Sequence, residues 1–184
     1  MASVDDKRAR FDALIMPHLD AARRFARWLT RSPSDADDVV QEAVLRAYRS
    51  FDGLRGSDVK AWLLTIVKNC HLTMAAQARG RGYVPLPPET DARDGYAMVA
   101  TTPDPEMTSI RRDEERTLVR LMAALPDEHR EVLILREIEE LGYREIAAVA
   151  DIPIGTVMSR LARARAALRE RWMAEFEEVP DAVR

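Results

Sequence analysis

The chain has 184 residues, of which 28 are Lys or Arg and 31 are Asp or Glu, and its formal net charge is −3. Hydrophobic residues make up 47% of it and charged residues 32%, a balance typical of a soluble globular protein and too apolar for a disordered one. No apolar run reaches the roughly 18 residues that span a bilayer, no signal-peptide segment opens the chain, and a single cysteine excludes a disulfide framework, so we expect a cytoplasmic protein without membrane insertion.

The first 80 residues contain apolar side chains at helical spacing in three successive stretches. The spacing predicts helices around residues 11–29, 39–51 and 62–70, and no stretch alternates as a strand would. Ser34 or Asp35 is the predicted N-cap of the second helix, because short polar side chains satisfy the free N–H groups of a first turn.

The charges are segregated into blocks along the chain. Residues 55–82 hold five Lys or Arg against one Asp, whereas residues 83–106 hold five acids against one Arg. The second block also carries five of the ten prolines and has no helical period, which predicts an extended, flexible linker. The sequence therefore indicates an all-α fold of two small helical domains that are joined by this linker.

A helix-turn-helix pattern follows the linker. Gly142 ends one predicted helix, Tyr143–Ala150 forms a short helix, and Asp151-Ile152-Pro153 interrupts it before a longer helix begins near Ile154. In that longer helix four apolar residues repeat at a spacing that places them inward: Val157, Leu161, Ala164 and Leu168. The opposite face and its flank carry Thr156, Ser159, Arg160, Arg163 and Arg165.

This basic face predicts contact with DNA. Residues 154–172 include five arginines and one glutamate, whereas a helix that merely faces solvent, the alternative interpretation, usually mixes its charges. The first turns of a recognition helix reach base edges, where Arg can bond guanine with two hydrogen bonds, and later arginines hold phosphates.

Two blocks of the sequence resemble the extracytoplasmic-function sigma factors, a class of bacterial transcription initiation factors. The block "DADDVVQEAVLRAYRSFDGLRGSDVKAWLLTIVKNCHLTMAAQARGR" is similar to their region 2, and "LPDEHREVLILREIEELGYREIAAVADIPIGTVMSRLARARAAL" is similar to their region 4. The resemblance implies a region 2 domain at 1–82, a linker at 83–106, a region 4 domain at 107–176 and a short acidic tail at 177–184.

The resemblance also implies partners and binding residues. The partners are core RNA polymerase, through its β′ clamp helices and β flap, promoter DNA, and an anti-sigma factor. The residues matched to clamp binding are Asp38, Gln41, Glu42 and Arg46. The residues matched to the single-stranded −10 element, as cations or an amide, are Arg55, Lys60, Lys68, Asn69, Arg79 and Arg81. The residues matched to the −35 duplex are Thr156, Ser159, Arg160, Arg163 and Arg165.

Two positions depart from the family pattern in the recognition helix. Many members have Lys or Arg directly before the "SRL" triplet, where this chain has Met158, and some have an aromatic residue where it has Ala162. The resemblance therefore does not define the −35 sequence that this chain prefers. Trp62 lies beside the predicted −10 residues, and its helical position favours the core over base stacking.

Two other classes of function are the alternatives to a sigma factor. A plain helix-turn-helix regulator would bind an operator without being a polymerase subunit, but it explains neither the linker nor the box from Asp38 to Glu42. An enzyme is disfavoured because the chain has no Gly-rich phosphate loop, no HExxH box and no nucleophile–base set. We expect no cofactor, no small-molecule substrate and no metal, since Cys70 and His71 are adjacent and diverge by about 100° on a helix.

Overall fold

The structure is a computed structural model that describes residues 4–30, 32–54, 58–80 and 105–177. Within these ranges the chain forms α-helices and short helical turns and has no β-strand, so the predicted all-α class is confirmed. The N-terminal half contains α1 (Val4–Ile15), α2 (Leu19–Thr30), α3 (Pro33–Ser50) and α4 (Val59–Gly80). The C-terminal half contains α5 (Pro105–Ala123), α6 (Asp127–Leu133), α7 (Tyr143–Ala150) and α8 (Ile154–Glu177).

The helix predicted over residues 11–29 is two helices. A 3₁₀ turn at Met16–His18 separates α1 from α2, and it contains Pro17. Proline has no backbone N–H and its ring clashes with the preceding turn, which explains the break. The apolar spacing continues across the turn, because Phe11 and Ile15 before it and Ala22 and Phe25 after it are all buried in one core.

The predicted N-cap of α3 was wrong. The cap is Ser32, whose hydroxyl oxygen accepts from the N–H of Asp35 at 3.4 Å, while Pro33 occupies the first helical turn. Proline suits that position because its missing N–H would be unsatisfied there in any residue. Asp35 instead supplies negative charge to the first turn, where the helix dipole is positive.

Helices α2, α3 and α4 pack against one another around the N-terminal core. Phe25, Ala43, Leu63 and Val67 are fully buried there. Trp62 is partly buried and packs against this core, as its helical position predicted. These contacts fix the orientation of α3 and α4, which carry two of the three predicted binding sets.

The C-terminal half places α7 and α8 in the predicted helix-turn-helix. Asp151 ends α7 with φ of 55°, and the N–H of Ile152 bonds the carbonyl of Ala147 at 3.1 Å, which closes the turn. Val157, Leu161 and Ala164 are buried against α6 and α7, as their spacing predicted. The other side of α8 is left exposed to solvent.

The two halves touch each other. Helix α4 packs along α7, and α2 meets α6. None of the helices in the described part of the chain has the length and apolarity that crossing a membrane requires.

Candidate nucleic-acid and partner interfaces

The predicted clamp-binding residues lie together on α3. Asp38 and Gln41 are exposed, and Glu42 and Arg46 are half-buried. The Arg46 Nε donates to Glu42 Oε1 at 2.6 Å, so these two residues form an ion pair one helical turn apart. The buried side of the same helix is made by Val39, Val40, Ala43 and Ala47. Changing the polar residues therefore leaves the core of the helix untouched.

One exposed apolar residue belongs to this surface and was not predicted. Leu45 is 53% exposed and follows Gln41 by one helical turn. The helical spacing that assigned the core left Leu45 out, and only its solvent exposure shows that the surface combines polar groups with an apolar side chain. An apolar side chain with polar groups around it is the usual arrangement of protein–protein interfaces.

The predicted −10 cations are divided between two environments. Lys60 and Lys68 lie on the side of α4 that meets the C-terminal half, with side-chain exposures of 27% and 14%. Asn69 and Arg79 on the same helix are exposed to solvent. Arg55 and Arg81 lie outside the described residues. The structure therefore brings together Lys60 and Lys68 but places Asn69 on another side of the helix.

Both lysines are paired with carboxylates of the C-terminal half. Lys60 contacts Glu139 at 2.9 Å and Lys68 contacts Glu131 at 2.7 Å. Arg24, which was not predicted as a site residue, donates from α2 to the same Glu139 through two nitrogens, at 3.0 and 3.1 Å. No local pattern in the sequence marks Arg24 or Glu139, because they are 115 residues apart and meet only when the two halves pack.

Four of the predicted −35 residues, Thr156, Ser159, Arg160 and Arg163, share one side of α8, and Arg165 lies on the opposite flank of the helix. Ser159 and Arg163 are exposed and Thr156 is half-buried, while the Ser159 hydroxyl donates to the Thr156 carbonyl at 3.0 Å. Arg160 is held by Glu128 of α6 in an ion pair, with 23% of its side chain exposed. Arg165 donates to Glu137 at 2.6 and 3.0 Å.

Arg163 differs from the other two arginines of this set. It has no ion pair within the parts of the chain that the structure describes, and it projects from the exposed side of α8. Met158 is also exposed on α8, at 54%, but on another side of the helix. The face therefore offers hydroxyls and a free guanidinium, which are groups that can read base edges in a major groove.

Two family models match the chain, one in each half. The model described as Sigma-70 region 2 matches residues 14–81, and the model described as Sigma-70, region 4 matches residues 115–168. Together they cover more than half of the chain and leave the predicted linker between them.

Curated relatives match over most of their length. The RNA polymerase sigma-H factor of Pseudomonas aeruginosa is 35% identical over 174 residues, which cover 89% of this chain and 86% of the relative. The ECF RNA polymerase sigma-E factor of Escherichia coli is 36% identical over 143 residues, which cover 73% of this chain and 72% of the relative.

Solved structures share the fold. The sigma factor RpoE in complex with the anti-sigma factor NepR from Bartonella quintana superimposes with a TM-score of 0.65 at 29% identity, covering 89% of this chain and 97% of that one. CnrH in complex with the cytosolic domain of CnrY gives a TM-score of 0.60 at 24% identity, covering 91% of this chain and 90% of that one.

Proposed function

The chain belongs to the extracytoplasmic-function sigma factors of the sigma-70 family, and we propose that it binds core RNA polymerase and directs it to promoters that carry −35 and −10 elements. The observation that carries this function is the match of region 2 and region 4 in family order, at 14–81 and 115–168. A plain helix-turn-helix regulator would explain the region 4 match but not the region 2 match. That alternative is therefore not favoured.

The binding surfaces divide between the two halves. The clamp helices of the β′ subunit bind the α3 face of Asp38, Gln41, Glu42 and Arg46, with Leu45 as the apolar centre of the contact. Three features support this assignment: the residues share one side of the helix, they are exposed or half-buried, and they are separate from the core.

Promoter DNA is bound by both halves. The single-stranded −10 element contacts the cations of α4 and its flanks, and α8 enters the major groove of the −35 element. The polymerase β flap holds the C-terminal half near the −35 site. We place the domain boundaries at 82/83 and 106/107, so that each half carries one promoter contact.

An anti-sigma factor controls the chain in the cytoplasm. Support comes from the structural neighbour at 29% identity, which was solved as a sigma factor bound to an anti-sigma factor. The protein acts by binding alone, and we assign it no catalytic chemistry.

The experiment that tests this function is run-off transcription with core polymerase on the promoter of the protein's own gene. We expect a discrete transcript that depends on the added chain. Binding of the chain to an upstream operator without any binding to core polymerase would replace the sigma factor with a plain regulator.

Arg163 is expected to read a base of the −35 element. Replacing a base-reading arginine by alanine costs about 1–3 kcal/mol and relaxes preference at one base pair. Arg160→Ala is expected to have a smaller effect on selection, since Glu128 already holds that guanidinium. Arg165→Ala should weaken binding to all DNA sequences alike. It should also lower the number of counterions released on binding by about one, as the loss of a phosphate contact does.

The measurement is binding of each variant to duplexes that differ at single −35 positions, over a range of salt concentrations. Arg116→Ala is the matched control, because this exposed arginine lies on α5 and pairs with Asp113. Unchanged promoter selection in both Arg160→Ala and Arg163→Ala would show that another side of α8 faces the DNA.

A further inference from the structure

A fully buried carboxylate joins the two halves of the chain. The Glu139 side chain has 0% exposure, and both of its oxygens are paired with cations of the N-terminal half. Arg24 donates to Oε1 at 3.0 Å and to Oε2 at 3.1 Å, and the Lys60 ammonium lies 2.9 Å from Oε2 and donates to the Glu139 carbonyl at 2.7 Å. A buried charge is tolerated only when it is paired and hydrogen-bonded in this way.

A second ion pair lies beside the first. The Lys68 ammonium is 2.7 Å from Glu131 and donates to the carbonyl of Ala150 at 2.8 Å. Ala150 is the last residue of α7, where the helix dipole places partial negative charge. Burial raises the pKa of the Glu131 carboxyl, and the hydrogen bond from Lys68 opposes that rise.

The backbone around Glu139 is shaped to present its side chain. After α6 the chain makes a π-helical turn at Ile134–Ile138, and the N–H of Glu139 bonds the carbonyl of Ile134 at 2.9 Å. The next residue, Glu140, has a φ of 55°, which is uncommon for a residue other than glycine. π turns are rare and are frequently found at functional sites. The same turn delivers both a carboxylate oxygen and a carbonyl oxygen to Lys60.

The three cations at this contact are suited to a different partner. Arg24, Lys60 and Lys68 come from α2 and α4 of the half that binds the −10 element, and side chains of this type hold the phosphates of nucleic acids. Lys60 and Lys68 are already among the residues assigned to that element. A carboxylate and a phosphate offer the same charge-assisted hydrogen bonds to a guanidinium or an ammonium, so the two groups compete for each cation.

We propose that Arg24, Lys60 and Lys68 form one phosphate-binding surface for the single-stranded −10 DNA, and that Glu131 and Glu139 occupy this surface in the free chain. The proposal rests on the proposed function and adds Arg24 to its DNA-binding residues. The C-terminal half thereby blocks the N-terminal half from DNA until polymerase separates the two. Separation exposes the three cations in one step, because Glu131 and Glu139 both belong to the C-terminal half and leave α2 and α4 together.

The test compares the full-length chain with a Glu131→Gln, Glu139→Gln double variant. Glutamine keeps the size of each side chain and removes its charge. The probe is a short fluorescein-labelled oligothymidine, whose binding is followed by anisotropy at low salt. We expect the variant to bind about tenfold more tightly, because the apparent affinity rises with the fraction of chains in the open state. Small-angle X-ray scattering should show a larger radius of gyration.

The matched control is a Glu140→Gln, Glu170→Gln double variant. Both residues are exposed glutamates of the C-terminal half, and neither has an ion pair among the residues that the structure describes. This control changes the net charge by the same amount without touching the three cations, so its affinity and its radius of gyration should match those of the wild type.

Adding Arg24→Ala to the double variant tests the new DNA-binding residue. We expect the triple variant to bind oligothymidine about threefold more weakly than the double variant. The number of counterions released on binding should fall by a little less than one, as for one phosphate of a single strand. Circular dichroism checks that each variant keeps its helices. If Glu139→Gln unfolds the chain, the single Glu131→Gln variant takes its place, with an expected gain of about threefold.

Two results would overturn the proposal. If the halves separate and affinity for oligothymidine stays unchanged, the cations are not a phosphate-binding surface. If the radius of gyration and the affinity both stay unchanged while the variant only melts at lower temperature, the ion pairs serve stability alone. Run-off transcription by the wild type separates these failures from a failure of the proposed function, because that assay includes core polymerase and does not depend on the free state.

Discussion

A Gln41→Ala, Glu42→Ala double variant is expected to bind core RNA polymerase at least about tenfold more weakly than the wild type and to lose promoter-directed transcription. Truncating polar groups at an interface leaves their partners unpaired and costs about 1–3 kcal/mol each, and 1.4 kcal/mol corresponds to a factor of ten. Folding should be almost unaffected, because Gln41 is exposed and the ion pair from Glu42 to Arg46 is a half-exposed pair worth about 0.3–0.5 kcal/mol.

Three measurements are needed on the same samples: affinity for core polymerase, run-off transcription, and thermal melting by circular dichroism. A Gln77→Ala, Glu170→Ala variant is the matched control, since it removes the same two residue types from exposed positions on α4 and α8. Equal polymerase affinity in the variant and the wild type would remove the α3 face from the interface. Absence of binding by the wild type would reject the sigma factor function altogether.

The helical class was predictable because apolar periodicity reports directly on which side of a helix is buried. Val157, Leu161, Ala164 and Leu168 were assigned to the core from spacing alone. The structure buries the first three, and Leu168 is partly buried and packs against the same core. Periodicity does not report where a helix stops when the buried side continues across the break. The turn at Met16–His18 was missed for this reason, although Pro17 was a local signal that could have found it.

Capping was mispredicted because two signals compete in the same four residues. Ser32, Ser34 and Asp35 are all good N-caps by type, and the decisive residue is Pro33, which favours the first helical position and so moves the cap to the residue before it. The π turn before Glu139 had no comparable signal. It depends on how α6 packs against α7 and α8, which no local spacing encodes.

The ion pairs of the candidate site could not be predicted from the sequence. The resemblance to region 2 assigned Lys60 and Lys68 in the basic block of α4 to the −10 element, and this role stays a prediction. Their partners Glu131 and Glu139 lie in a helical stretch of mixed charge, where a buried carboxylate looks the same as a solvated one. The pairs form between residues 63 and 79 positions apart, so they follow from the packing of the halves.

Leu161→Ala is expected to destabilise the C-terminal half by about 2–5 kcal/mol, because it opens a cavity in a core that cannot fully collapse around it. Leu161 is 1% exposed and packs between Val157 and Ala164, both fully buried, where α8 meets α6 and α7. A loss of this size is a large part of the stability of a small domain. Denaturant unfolding followed by circular dichroism measures this loss of stability, and binding to −35 duplexes should weaken for every sequence alike.

Met158→Ala is the matched control: it shortens an exposed side chain on the same helix and should change stability by no more than about 0.5 kcal/mol. Equal destabilisation by both variants would mean that α8 does not pack through the side that the apolar spacing defines.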